Sequence, residues 1–180
     1  MGDRVADPRA LGFGVFAILT WMYSLVDAGW YGPEMAGSMF QDVATFAAIG
    51  LLIAALAAFV RGDQWHATFF MFWTALIWGF RAAMSAGMTA PNAYTGWYDI
   101  LIVAVSLLLF MSARQAGVGT PEVLVSFLVC VLFLAFALSG WLGGETWTVL
   151  GGYVGLVTGA ASLWATASAM GRRGGATATT

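Results

Sequence analysis

Thr20, Tyr23, Ser24 and Asp27 follow one another at steps of three, one and three residues inside an apolar stretch, and Phe13 and Phe16 precede them at the same period. On a helix, such steps fall along one face. That face grades from aromatic rings through hydroxyls to a carboxyl. Hydroxyls can donate the hydrogen bonds that a small polar solute loses on leaving water, and a carboxyl sorts solutes by charge. An ionisable residue within an apolar span usually faces the protein interior or water. Asp27 also lies within one turn of Trp30, where an interface could hydrate it instead. The chemistry predicted here is binding and passage. Paired carboxylates, a nucleophile with its base and a metal-ligating cluster are missing from the sequence pattern, so no enzyme, cofactor or metal is expected. The single Cys130 excludes an intrachain disulfide and a cysteine metal site.

The elements that would carry this face are long and apolar. Hydrophobic residues make up 61% of the 180 residues and charged residues 9%, more apolar side chain than a water-soluble domain of this size can hide. Six stretches approach membrane-spanning length: 11–30, 41–60, 65–84, 97–112, 122–141 and 147–170. Helices are predicted because lipid leaves the backbone to satisfy its own hydrogen bonds, and because runs such as 100–111 lack the alternation of barrel strands. The predicted fold is an all-α integral membrane protein, a six-helix bundle over 11–170 with short polar tails at 1–10 and 171–180. Asp7-Pro8 offers a cap and a first-turn proline to the first helix, and Pro91-Asn92 and Thr120-Pro121 mark later starts.

Arginine placement gives an orientation. Arg4, Arg9, Arg61, Arg114, Arg172 and Arg173 fall in segments that share one side if all six stretches cross, and only Arg81 lies toward the other. By the positive-inside rule both termini are cytoplasmic, in the inner (plasma) membrane. Trp30, Trp65, Trp97, Trp141 and Trp147 stand at span ends, where indoles prefer the headgroup level. Asp42 and Asp99 read as helix-start carboxylates favoured by the helix dipole, and His66 and Arg81 as interface anchors. Gly151, Gly155 and Gly159 repeat every four residues, as do Gly50, Ala54 and Ala58. Such stripes let helices approach closely, within a protomer or between protomers, or open a narrow lumen.

In order along the chain, Ala6-Asp7-Pro8-Arg9-Ala10-Leu11-Gly12-Phe13, Asp27-Ala28-Gly29-Trp30, Arg61-Gly62-Asp63, Ala90-Pro91-Asn92, the segment 132–140 and Gly152-Tyr153-Val154-Gly155-Leu156 resemble the acetate uptake transporter family, which includes the bacterial succinate–acetate permeases. The resemblance implies a homohexamer of six-helix protomers, each with its own pore for small monocarboxylates such as acetate. It also implies a pore constriction formed by Phe16, Trp73 and an aliphatic residue within 128–130, with Leu128 favoured. Several positions depart from the family pattern. Asp7 replaces Asn, Arg9 replaces Ala, Ala10 replaces Pro, Asp27 replaces Asn and Trp73 replaces Tyr.

The expected function is transport of acetate-like acids, succinate included, linked to protons. Phe13, Thr20, Tyr23, Ser24 and Asp27 would line the pore. A channel for small neutral solutes or ammonium (urea, short amides, ammonia) is the alternative, because a charged Asp27 repels an anion. The partners expected are the solute, the lipid bilayer and further copies of the chain, with no nucleic acid.

Overall fold

A computed structural model describes residues 6–85 and 92–171. The side chains of 33, 36–42, 80–85, 92 and 93 lie outside that description. All the described regular structure is helical: α1 (Pro8–Asp27), α2 (Pro33–Val60), α3 (Gln64–Ser85), α4 (Asn92–Gln115), α5 (Thr120–Leu142) and α6 (Glu145–Gly171).

The helix starts follow local chemistry. The Asp7 carboxylate accepts the backbone N–H of Arg9 and caps α1, with Pro8 in the first turn. Pro33 and Pro121 open α2 and α5 after extended Gly32 and Gly119. Between α5 and α6 the chain reverses through Gly143 and Gly144 at φ of 71° and 92°, a region where a Cβ would be strained.

Two helices begin well before the apolar core of the sequence. α2 starts at Pro33, eight residues before position 41, and α4 starts at Asn92, five residues before position 97. A proline or turn signal sets the start, and polar residues of the first turns are tolerated because they lie toward the headgroups. Asp42 and Asp99 are therefore the tenth and eighth residues of their helices and cap neither of them.

Among the described residues, five helices are long and apolar enough to cross a membrane: α1, α2 from Val43, α4 from Tyr94, α5 and α6. Their outer faces carry exposed Ile18, Phe46, Ile53, Phe59, Leu101, Leu108 and Val157, a surface suited to lipid. The chain is thus a multi-pass membrane protein. α3 is more polar, with Gln64, His66, Thr68 and Thr74, and buries Phe69, Phe70, Trp73 and Ile77 in the centre.

Helices α1, α3 and α5 start at one end of the bundle, called the lower end, and α4 and α6 start at the upper end. The lower end brings Arg9 of α1 close to Glu122 of α5, and Trp65 Nε1 of α3 donates to the carbonyl of Leu109 in α4 at 3.0 Å. The upper end brings Trp97 of α4 against Trp141 of α5, with centroids 5.1 Å apart. α6 packs on both α1 and α5.

The glycine stripes are spent inside the protomer. Gly155 lies against Ser24, and a Cβ on Gly159 would meet the Trp21 ring at 3.1 Å and the carbonyl of Ala17 at 3.4 Å. A Cβ on Gly151 would meet Phe136 of α5 at 2.5 Å, and one on Gly50 would meet Val15 at 2.8 Å. Gly152 approaches the backbone of Asp27 and Ala28 even more closely. The lateral space for α1 thus exists because α6 gives up its side chains there.

Candidate functional site: a vestibule above an aromatic floor

The face on α1 finds its partners across a cavity of about 860 Å³ in the upper half of the bundle. Phe16, Thr20, Tyr23, Ser24 and Asp27 all line it from α1. Opposite stand Thr95, Tyr98, Asp99 and Ile102 of α4, and Leu132, Phe133 and Phe136 of α5. Gly143, Gly144, Glu145 and Thr148 line it where α5 turns into α6. A solute the size of acetate needs a small part of this volume, so the cavity is a vestibule rather than a fitted pocket.

Aromatic rings close it below. Phe16 packs on Trp73 with centroids 5.3 Å apart and on Phe69 at 5.7 Å. Trp73 stacks on Phe133 at 5.7 Å with planes 28° apart. Beneath Trp73 a narrow void bounded by Phe69, Ser106, Leu109, Ser126 and Val129 has no volume that a water molecule could occupy. A ring of apolar side chains without water is a barrier that opens only when the rings move. Trp73 Nε1 and Ser106 Oγ, both buried here, have no hydrogen-bond partner among the described residues. Two donors therefore sit at the barrier with nothing to donate to.

Phe13, expected to line the pore, and Leu128, expected at its constriction, lie elsewhere. Phe13 is fully buried and does not reach the cavity. Its ring packs on Phe69 at 5.4 Å, on Phe70 at 5.2 Å and on His66 at 6.0 Å, in solid core below the floor. It shares a face with Phe16, but the cavity ends one turn above it. Leu128 is half-buried and lines neither the cavity nor the void. The α5 residue below Trp73 is Val129, one position on, and Phe133 covers its ring from one turn above.

Other residues of the site were not read from the sequence. Asp99 faces the vestibule from α4. Thr95, Asp99, Ile102 and Ser106 recur at steps of four, three and four, a face that periodicity alone could have revealed. Ser139 and Thr148 share a hydrogen bond of 2.8 Å between the ends of α5 and α6. His66 is buried rather than interfacial, at 4% exposure, with Nδ1 2.8 Å from Asp63 and its ring edge against Trp65. Of the tryptophans away from the expected span ends, Trp73 is buried, while Trp21, Trp78 and Trp164 are exposed. The side chain of Arg81 lies outside the described residues.

The vestibule is acidic. Asp27, Asp99 and Glu145 line it, and no basic side chain is among its described lining residues. At the lower end the charges are paired. Arg9 meets both carboxylate oxygens of Asp7, with Nη2 at 2.6 Å from Oδ2 and Nε at 3.0 Å from Oδ1. Burial alone would raise the Asp7 carboxyl, but the hydrogen bonds and charge of Arg9 outweigh it and hold it down at about 2. Asp63 is lowered in the same way: burial opposes, and the hydrogen bond and charge of His66 prevail.

The fold and site define a multi-pass helical membrane protein with a polar vestibule stopped midway by aromatic rings. No protein-family model and no curated relative matches the chain. Among solved structures, the bacterial acetate channel SatP has a TM-score of 0.82 with this chain at 22% identity, over 94% of this chain and 92% of that one. The two proteins share a fold, the one implied by the sequence resemblance.

Proposed function

We propose that this chain is a membrane channel or transporter for small monocarboxylic acids such as acetate, with succinate as a further candidate, and that passage is linked to protons. The observation that carries the reading is the closure of a hydroxyl-lined vestibule by Phe16, Trp73 and Phe133, where Trp73 Nε1 and Ser106 Oγ are donors without acceptors among the described residues. A carboxyl group supplies the acceptors they lack, and the apolar rings stop the leak of ions. The fold shared with an acetate channel supports it.

The acidic vestibule favours a second reading, passage of ammonium or of neutral solutes such as urea and short amides. Asp27, Asp99 and Glu145 attract a cation and repel an anion. For the first reading they imply that the undissociated acid, rather than the anion, reaches the floor. Flux of acetate, succinate, urea and ammonium into liposomes holding the purified protein separates the two. Acetate uptake that rises as pH falls supports the first reading, and ammonium or urea flux without acetate flux overturns it.

In the same proposal α3 is the sixth crossing, both termini are cytoplasmic in the inner membrane, and six protomers assemble around individual pores. The even helix number and the arginine placement support the orientation. Since the glycine stripes are used within the protomer, the assembly rests on the exposed apolar faces and the shared fold. Labelling of tags at Met1 and Thr180 from outside intact cells, or a monomeric mass in lipid nanodiscs, would remove these parts of the proposal.

A further inference from the structure

The lower end of the bundle holds a side-chain pair that the vestibule and its floor leave unused. Glu122 is 0% exposed, and among the described residues neither of its carboxylate oxygens has a hydrogen-bond partner. A buried acceptor of this kind is costly to leave unmade. Arg9 Nη1 stands 3.8 Å from Glu122 Oε1, beyond hydrogen-bond length, while Nε and Nη2 of the same guanidinium are held by Asp7. The two residues belong to α1 and α5, the helices that carry Phe16 and Phe133 at the floor, and each packs closely on α6. Glu122 lies one turn below Ser126, which bounds the void beneath Trp73 and donates its hydroxyl to the Glu122 carbonyl at 3.0 Å. Glu122 therefore stands one turn beyond the void along α5. Among the described residues the remaining charged groups nearby are Asp7, which caps α1, and Asp63 in the α2–α3 turn, both bearing on Arg9, Arg61 in the same turn, which bears on Asp7, and His66 on α3, which bears on Asp63.

We propose that Arg9 and Glu122 form a lower binding station for an undissociated carboxyl group. Arg9 donates to the carbonyl oxygen of the acid, and the acid's O–H donates to Glu122, so the proton stays on the acid throughout. Facing the pair from one side, a carboxyl group can set one oxygen on Arg9 Nη1 and the other on Glu122 Oε1, each at a hydrogen bond of about 2.7–3.0 Å, because those two atoms stand only 3.8 Å apart. A carboxylate anion satisfies Arg9 but meets Glu122 as a like charge. An amide presents the same acceptor and donor on one carbon, so amides form the second arm of the test. The inference rests on the proposed transport of small acids and names the transported species at this site.

The test uses the full chain in liposomes, with wild type, Glu122→Leu, Glu122→Gln and Arg9→Gln. Half-saturating concentrations for acetic acid and for acetamide are measured over a pH series, alongside melting temperature in detergent. Glu122→Leu should raise the half-saturating acid concentration about tenfold, the factor for losing a hydrogen bond to a charged group. It should not lower the melting temperature, because an unsatisfied buried acid is removed. Glu122→Gln keeps an acceptor and should lie between. Unchanged half-saturation with an unchanged or higher melting temperature would show Glu122 to be structural and overturn the station. A rise for acetamide alone would overturn its assignment to acids. Wild-type liposomes that pass no acetic acid overturn the transport reading itself, and the station with it. If the variants fail to fold, infrared difference spectra of wild type with ¹³C-labelled acetic acid decide. A protonated carbonyl band for the bound acid together with a shifted protein carboxylate band supports the station, and neither band overturns it.

Discussion

Trp73 of α3 lies stacked on Phe133 of α5, with ring centroids 5.7 Å apart and planes 28° apart, while Phe16 of α1 packs against the same indole with centroids 5.3 Å apart. One indole therefore joins three helices at the level where the vestibule ends. Trp73→Ala should raise solute flux and loosen selectivity, because the largest ring of the floor is gone and the hydroxyls above it remain. It should also cost stability, on the order of 3–5 kcal/mol for a large buried aromatic. Trp73→Tyr removes less volume and should raise flux with a smaller drop in melting temperature. Flux and selectivity unchanged in both variants, and in Phe16→Ala, would take the floor out of the permeation path.

Gly155 lies against Ser24 with no room for a side chain. Gly155→Leu should drive α6 from α1 and lower the melting temperature of the protomer, by an amount on the order of 1–3 kcal/mol or more for overpacking. Since the contact is internal, the variant's loss is in folding. A stable, well-folded protomer that only loses its partners would place this glycine at an interface between copies instead.

Asp27 and Asp99 face the same vestibule from α1 and α4. If acids pass, Asp27→Asn should increase acetate flux near neutral pH and flatten its pH profile, since a repelling charge is removed with little change in shape. Asp99→Asn should act in the same direction. If ammonium passes, both changes should reduce flux. A double variant with wild-type flux for every solute would leave both residues as hydrated surface.

Asp7 caps α1 and is clasped by Arg9, which holds its carboxyl at about 2 against an ordinary 3.8. The folded state then binds its proton more weakly than the unfolded state does. The stability this adds is fully present above the unfolded value of 3.8 and is lost as pH falls through the folded value of about 2. Melting temperature in detergent should therefore drop over that interval, and Asp7→Asn should reduce the drop while lowering stability at neutral pH. Asp63, lowered by His66, contributes with the same sign. Identical melting curves against pH for wild type and Asp7→Asn would show that the clasp adds nothing to folding.

Much of the helical frame is visible in the order of residues alone. Helix identity follows from backbone hydrogen bonding in lipid, and helix starts follow from local caps such as Asp7-Pro8, so both are visible without tertiary contacts. The polar face of α1 was legible because hydroxyls and a carboxyl mark its phase against apolar neighbours. α5 has no such mark at the floor. Valine, leucine and phenylalanine surround it on every side, so periodicity could not choose between Leu128 and Val129, and packing against Trp73 selected Val129 and Phe133. Phe13 and Phe16 share one face, but only the depth of the cavity separates a lining ring from a core ring. His66 and Asp99 were displaced from their expected roles by where helices start and what covers them. The nearness of Arg9 to Glu122 and of Gly155 to Ser24 belongs to the tertiary structure alone. A helical period tells which residues share a face, and only packing decides what that face meets.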